Sequence, residues 1–261
     1  MRIPLLFCSV IVLITVNVHC ASLAKRAFKV YNGDKVLDWK TNPYKFVVLL
    51  TAMEGCCTGS LINKDVVLTA GHCFTDPNIQ LSHVELEHAK LTGSWDKWIP
   101  IKGHTISPRY LNTYKTDSVS GWDYAVAHLE RPVINAGFQV TTTKFADQLP
   151  LTFGDVVTIV GYGVDTYRKE MSGDLKIGKS QYIQCPRVPQ PGRPICLLPR
   201  EELKSQMSES GDSGGPAVIE KHGKIIALGV CTGYVSWTDG LRVSMYAAAS
   251  ENYDFVGRYS L

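Results

Sequence analysis

Apolar residues past position 40 fall into short runs rich in β-branched side chains: 46–50 (FVVLL), 60–62 (SLI), 66–70 (VVLTA), 98–101 (WIPI), 124–129 (YAVAHL), 155–160 (DVVTIV) and 225–230 (IIALGV). Each has strand length, and Gly, Pro, Asn and Asp clusters separate them. The pattern predicts an all-β sandwich or barrel. One helix is predicted, over 247–259 at the C-terminal end. A different run opens the chain, where Arg2 precedes an apolar stretch over 3–18 and small residues follow at Ala21, Ser22 and Ala24. It is too short to span a bilayer comfortably and reads as a signal peptide over 1–20, cut after Cys20 or, as second choice, after Ala24. No later segment is long and apolar enough for a membrane span, so the mature protein is expected to be secreted, extracellular and free of the membrane, where disulfides persist.

Charge changes the picture only after processing is considered. The 261-residue chain is formally +3, but its first 29 residues carry Arg2, Lys25, Arg26 and Lys29 and no acid, leaving −1 on the remainder. The basic balance belongs to the leader. No Lys/Arg stripe with interleaved aromatics occurs, so a nucleic-acid partner is not expected. From Val30 onward there is no low-complexity linker and no short-period repeat. The expected organisation is a signal peptide (1–20), a propeptide (21–29) and one globular domain (30–261).

The chemistry concentrates in SGDSGGP at 210–216. A serine hydroxyl attacks well only when a base takes its proton and backbone N–H groups stabilise the oxyanion that forms. Gly211 has no Cβ to block a carbonyl approaching its N–H, and Gly214 and Gly215 permit a sharp path that leaves Ser213 outward. By itself such a turn also fits an ordinary surface loop. Two further segments complete a constellation. The run at 66–70 ends in His72, and Asp123 immediately precedes the run at 124–129. Their joint occurrence in the order His, Asp, Ser carries more weight than any one of them.

TAGHC at 69–73, WDYAVAHL at 122–129 and GDSGGP at 211–216 resemble the three signatures of chymotrypsin-like (trypsin-fold) serine proteases, over about Val30 to the C-terminus. The resemblance implies two six-stranded Greek-key β-barrels, the first to about 140 and the second from about 141, with the site in the cleft between them and a C-terminal helix. It gives His72 the role of general base, Asp123 that of orienting acid and Ser213 that of nucleophile, with the N–H groups of Gly211 and Ser213 as oxyanion hole. VYNG at 30–33 resembles the family's activated N-terminus. Cleavage after Lys29 by an activating protease would free a Val30 ammonium to pair with Asp212, while Lys25-Arg26 offers a competing processing site.

The same resemblance pairs Cys57 with Cys73 and Cys185 with Cys196, each bridge worth ~2–4 kcal/mol. Cys56 and Cys231 are left over, either paired together or both buried and reduced. Val157 and Ile219 replace a bridge that many relatives have. The bridge that usually frames the substrate pocket would fall at Glu209 and Thr238. Counted in the family's register, the resemblance places Met207 at the pocket base, followed by Ser208, with Thr232, Gly233, Tyr234 and Ser244 as the wall; a second register would use Val235-Ser236-Trp237 but leaves too few residues before Tyr246. A base without a carboxylate predicts small or medium apolar side chains at the cleaved position, unless Glu209 turns inward and favours a basic one.

No cofactor and no metal is expected: the histidines lack ligand spacing, and Glu85 with Glu87 is a weak calcium signal. The expected function is a secreted serine endopeptidase made as a zymogen, a monomer acting on protein or peptide substrates and open to protein inhibitors. The alternative is a catalytically silent homologue that uses the same scaffold as an extracellular binding protein.

Overall fold

The computed structural model describes residues 30–38, 41–52, 55–77, 79–86, 98–113, 121–133, 151–163, 174–185, 192–203, 205–236 and 241–260. The expected signal peptide and propeptide, the barrel boundary near 140, Glu87 and Thr238 lie outside them. Among the described residues no helix is long and apolar enough to cross a membrane.

Thirteen strands occur in these segments: β1 (Asp34–Lys35), β2 (Val47–Thr51), β3 (Cys56–Asn63), β4 (Val66–Thr69), β5 (His83–Glu85), β6 (Trp98–Ile106), β7 (Ala125–Leu129), β8 (Val156–Gly161), β9 (Lys176–Ile183), β10 (Ile195–Leu198), β11 (Pro216–Lys221), β12 (Lys224–Ser236) and β13 (Arg242–Ala248). The first barrel closes in the order β2-β3-β4-β7-β6-β5. Because β5 lies beside β2 and not beside β4, the connection is a Greek key. The second sheet runs β1-β9-β10-β13-β12-β11-β8, and a β8–β9 pairing joins it into a six-stranded ring with β1 attached outside. The all-β, two-barrel expectation therefore holds.

Continuous burial explains why several strands read as unbroken apolar runs. Val47, Val48 and Leu50 of β2 are all inaccessible, since one face fills the barrel and the other meets its neighbour. Phe46, Leu50, Val126, Val160, Tyr162, Val218 and Ala247 share one apolar core that crosses between the barrels. A second core, with Val30, Val157, Ile159, Leu228 and Tyr246, fills the second barrel. Val157 packs there with Ile219 against it, so apolar contact occupies the site of the absent bridge.

All seven runs picked out from sequence fall on strands. The helix prediction needs correction: β13 continues through Ala248, a 3-10 turn spans Ala249–Asn252, and only Tyr253–Val256 is α-helical, named α3 below. The alanines favour helix intrinsically, but Ala247 and Ala248 pair with Val230 and Gly229 of β12, and that ladder overrides propensity. Two further short helices, α1 (His72–Thr75) and α2 (Pro108–Thr113), follow β4 and β6.

Candidate active site

Pairing of β4 with β7, through Thr69 opposite Ala125, brings the segment after one strand beside the segment before the other. That register sets His72 against Asp123. The Asp123 carboxylate is fully buried and accepts two bonds, from the His72 backbone N–H at Oδ1 (2.8 Å) and from the imidazole Nδ1 at Oδ2 (2.6 Å). Both oxygens are thereby spent on one residue. Such short charge-assisted contacts fix the ring plane and make Nδ1 the donor, leaving Nε2 as the acceptor. Gly71 is required here, because a Cβ would lie 2.5 Å from the Tyr110 ring and 3.0 Å from Asp123 Oδ1. Burial lowers the His72 pKa, but the charge and hydrogen bond of Asp123, with Asp76 adding, outweigh it and hold the imidazole above its usual range.

Ser213 lies on the turn that leads into β11, and the first barrel grips that turn. The Ser213 carbonyl accepts from the Thr58 N–H (2.8 Å), and the Cys73 sulfur, bonded to Cys57, lies 3.9 Å from the same oxygen. The Thr58 hydroxyl donates to the Gly211 carbonyl (2.8 Å) and accepts from the Tyr162 N–H (3.1 Å). Thr69 in turn donates to the Thr58 carbonyl (2.9 Å). Gly214, at φ +80°, cannot be replaced cheaply: a Cβ would stand 2.0 Å from Thr69 Oγ1 and 2.5 Å from the Thr58 carbonyl. His72, Asp123 and the Ser213 turn are thus held against one seam between the barrels.

The sequence pattern that defines the Trypsin family matches residues 38–256. The chain belongs to the trypsin family. A cercarial protease from Schistosoma mansoni is 28% identical over 84% of this chain and 86% of its own length. A thrombin-like enzyme, elegaxobin-1, from Protobothrops elegans is 28% identical over 75% and 80%. A solved Glu endopeptidase in complex with MPD superposes with a TM-score of 0.61 at 20% identity, covering 87% of this chain and 95% of that one, which establishes the fold in common.

Both bridges expected of this trypsin-family chain are formed, Cys57–Cys73 and Cys185–Cys196. The first joins two of the three groups in the Cys57, His72, Cys73 cluster and removes the thiolates that a metal would need. Cys56 and Cys231 do not bridge each other: both are buried thiols, one in the first barrel's core and one in the second's. Burial, with the Asp212 charge adding, pushes the Cys231 thiol up to about 12.

Val30 is buried against Gly33 and Gly178, and its neighbours are tied down by Tyr31 N–H to the Met207 carbonyl (3.0 Å) and Gln206 Nε2 to the Asn32 carbonyl (2.8 Å). Asp212 is buried as well. Its carboxylate accepts from the Gly163 N–H (2.7 Å) and the Glu209 N–H (2.8 Å). Burial nevertheless pushes its carboxyl up to about 7; the two N–H groups and the Lys176 charge oppose the rise, and the Glu209 charge adds to it.

Met207 and Ser208 are nearly inaccessible, and Ser208 N–H donates to the buried Ser244 hydroxyl (3.0 Å). Thr232 donates to the Met245 carbonyl (3.2 Å), Gly233 takes φ +137° at a bulge, and Tyr234 stands outward at 39% exposure. The Glu209 carboxylate, almost fully buried, is paired with Arg242 at 2.7 Å. Thr58, Thr69 and Arg242 were not singled out from the sequence. Thr58 directly follows a bridged cysteine and Thr69 opens the histidine signature, but neither carries a recognisable letter pattern of its own.

Proposed function

We propose that this chain is a secreted serine endopeptidase made as a zymogen, in which His72, Asp123 and Ser213 form the catalytic triad. The observation that carries this reading is the double clamp of Asp123 on His72, because it fixes the tautomer in which Nε2 can accept a proton. In the proposed reaction Ser213 Oγ bonds to the scissile carbonyl carbon while its proton passes to His72 Nε2. The carbonyl oxygen, now an anion, is met by the N–H groups of Gly211 and Ser213. Collapse breaks the C–N bond as His72 hands the proton to the leaving amine, leaving an acyl-serine. Water then repeats the sequence with His72 again as base, and the acid is released.

Activation follows the same electrostatics. In the unbroken chain the nitrogen of Val30 is an amide and Asp212 has a proton to keep or lose near neutrality. Cleavage after Lys29 would supply an ammonium in the same buried region, and a buried carboxylate gains most from a paired cation. The expected preference is for small or medium apolar side chains before the cleaved bond: Met207 offers no charge, and Glu209 is already committed to Arg242. Secretion is supported by the leader-like run at 3–18 and by two disulfides, and relatives named as venom enzymes fit an extracellular role.

Covalent labelling with a fluorophosphonate tests the reading. Protein cut after Lys29 should be labelled at Ser213 and should hydrolyse peptides, and Ser213→Ala should do neither. Correctly cut, folded protein that takes no label would leave the silent binding homologue in its place.

A further inference from the structure

The segment 207–212 carries the pocket base at one end and the Asp212 carboxylate at the other, and β13 holds it through two side chains. Ser244 accepts from the Ser208 N–H at 3.0 Å, and Arg242, two residues earlier on the same face of the strand, binds Glu209 at 2.7 Å. Glu209 is 7% exposed in its side chain while Arg242 is 43% exposed, so one partner of the pair is almost fully withdrawn from water. The Arg242 guanidinium also lies over the Tyr234 ring, 4.7 Å from its centroid. Register accounts for this: Arg242 pairs with Ser236 and Ser244 with Tyr234, so Arg242 reaches Tyr234 diagonally across the β12–β13 ladder. One guanidinium therefore touches the wall and the base segment together. Glu209 passes the constraint on, because its N–H holds Asp212 Oδ2 at 2.8 Å and its carbonyl accepts the Asp212 N–H at 3.0 Å.

We propose that Arg242 is a positioning residue of the substrate pocket, an ionic strut that fastens the Tyr234 wall to the Glu209–Asp212 segment. The inference rests on the peptidase reading above for its effect on catalysis, but not for its effect on the wall. A planar guanidinium suits the task, since it can bind a carboxylate along one edge while its face rests on an aromatic ring. A lysine keeps the charge and loses the plane. The pair also occupies the Glu209 position, where the family resemblance led us to expect one end of a framing bridge, so a wall held this way should be sensitive to salt.

Three variants test the strut: Arg242→Ala, Arg242→Lys and the exchange of Glu209→Arg with Arg242→Glu. For peptide substrates Arg242→Ala should raise KM on the order of tenfold, the factor that ~1.4 kcal/mol represents, with a smaller change in kcat. Arg242→Lys should fall between, and the exchange, which restores the ion pair but removes the guanidinium from the Tyr234 ring, should recover less than half of the loss on a logarithmic scale. Ser213 should still take fluorophosphonate in every variant. If processed wild type takes no label, the peptidase reading fails separately, and amide exchange decides the strut: residues 232–236 and 208–212 should exchange faster in Arg242→Ala, and the exchanged pair should recover 208–212 but not 232–236. Should Arg242→Ala fail to fold, wild type between about 0.05 M and about 1 M salt makes the same comparison, because screening weakens a half-exposed pair. Unchanged KM and unchanged exchange in Arg242→Ala, or an exchanged pair in which 208–212 is no better protected than in the single change, would overturn the proposal.

Discussion

The two barrels hold their shares of the candidate site by different physics. In the first, main-chain pairing of β4 with β7 sets His72 against Asp123, and two bonds of 2.8 and 2.6 Å together with the Cys57–Cys73 bridge complete the arrangement. In the second, Ser213 sits on a turn beside a buried carboxylate pushed up to about 7, and Arg242 forms an ion pair with Glu209 of the same segment. Apolar strands and a disulfide hold at any ordinary pH. Asp212, whose two N–H donors do not offset its burial, gains from a proton or a cation, whereas the buried Asp123 of the first half is held by two N–H donors of His72. The comparison locates control: the His72–Asp123 arrangement is complete as folded, and the Ser213 turn lies beside a carboxylate whose charge answers to pH and to any nearby cation.

The largest expected effect tests whether the first half is as self-sufficient as it looks. Asp123→Asn should keep the fold, by circular dichroism and thermal melting, yet lower kcat by about 10⁴, because the amide favours the wrong imidazole tautomer. A loss under about tenfold would mean that the His72–Asp123 clamp does not orient the base. The next test addresses the second half. Lys29→Gln should block processing and leave kcat lower by on the order of 10²–10³, the loss associated with one missing oxyanion donor. Full activity in an unprocessed chain would erase the contrast between the barrels.

Much of this contrast could be read from the letters, and the exceptions have physical causes. The strands at 46–50, 66–70 and 124–129 were legible because burial on both faces writes an unbroken β-branched run. Strand β9, Lys176–Ile183, was missed because only some of its positions are buried and its polar letters read as loop. The C-terminal helix was begun too early, at Ala247 and Ala248 of β13, because alanine reports local propensity and cannot report the partner strand. The letters around His72, Asp123 and Ser213 stood out because together they resemble the family's three signatures. Thr58 and Arg242 did not, because a threonine hydroxyl that ties a turn and an arginine that braces a wall are defined by what they face across 153 and 33 residues of separation.

Thr58 gives a smaller and more pointed test, since it belongs to the first barrel and serves the second. Thr58→Val keeps the shape but removes the hydroxyl, taking a donor from the Gly211 carbonyl and an acceptor from the Tyr162 N–H in a buried seam. A loss of about 2–3 kcal/mol in denaturant unfolding is expected, with recovery in Thr58→Ser. Equal stability of the valine and serine variants would show that the hydroxyl does not join the barrels.

The last effect is a pH dependence traced to Asp212 in the second half. Asp212 is raised from an ordinary carboxyl value near ~3.9 to about 7, so between those limits the folded chain keeps a proton that the unfolded chain has released. Stability from this group is therefore complete below pH of about 4 and is lost as pH rises through about 7. In processed protein a Val30 ammonium would favour the ionised carboxylate, lower its pKa and shrink that decline. Denaturant midpoints at pH 5 and pH 8, measured for Lys29→Gln and for processed protein, isolate the effect as a difference of differences in which the other titrating groups cancel. The unprocessed chain should lose more stability over that interval. An equal loss in both forms would detach Asp212 from processing and leave the two barrels alike in their dependence on charge.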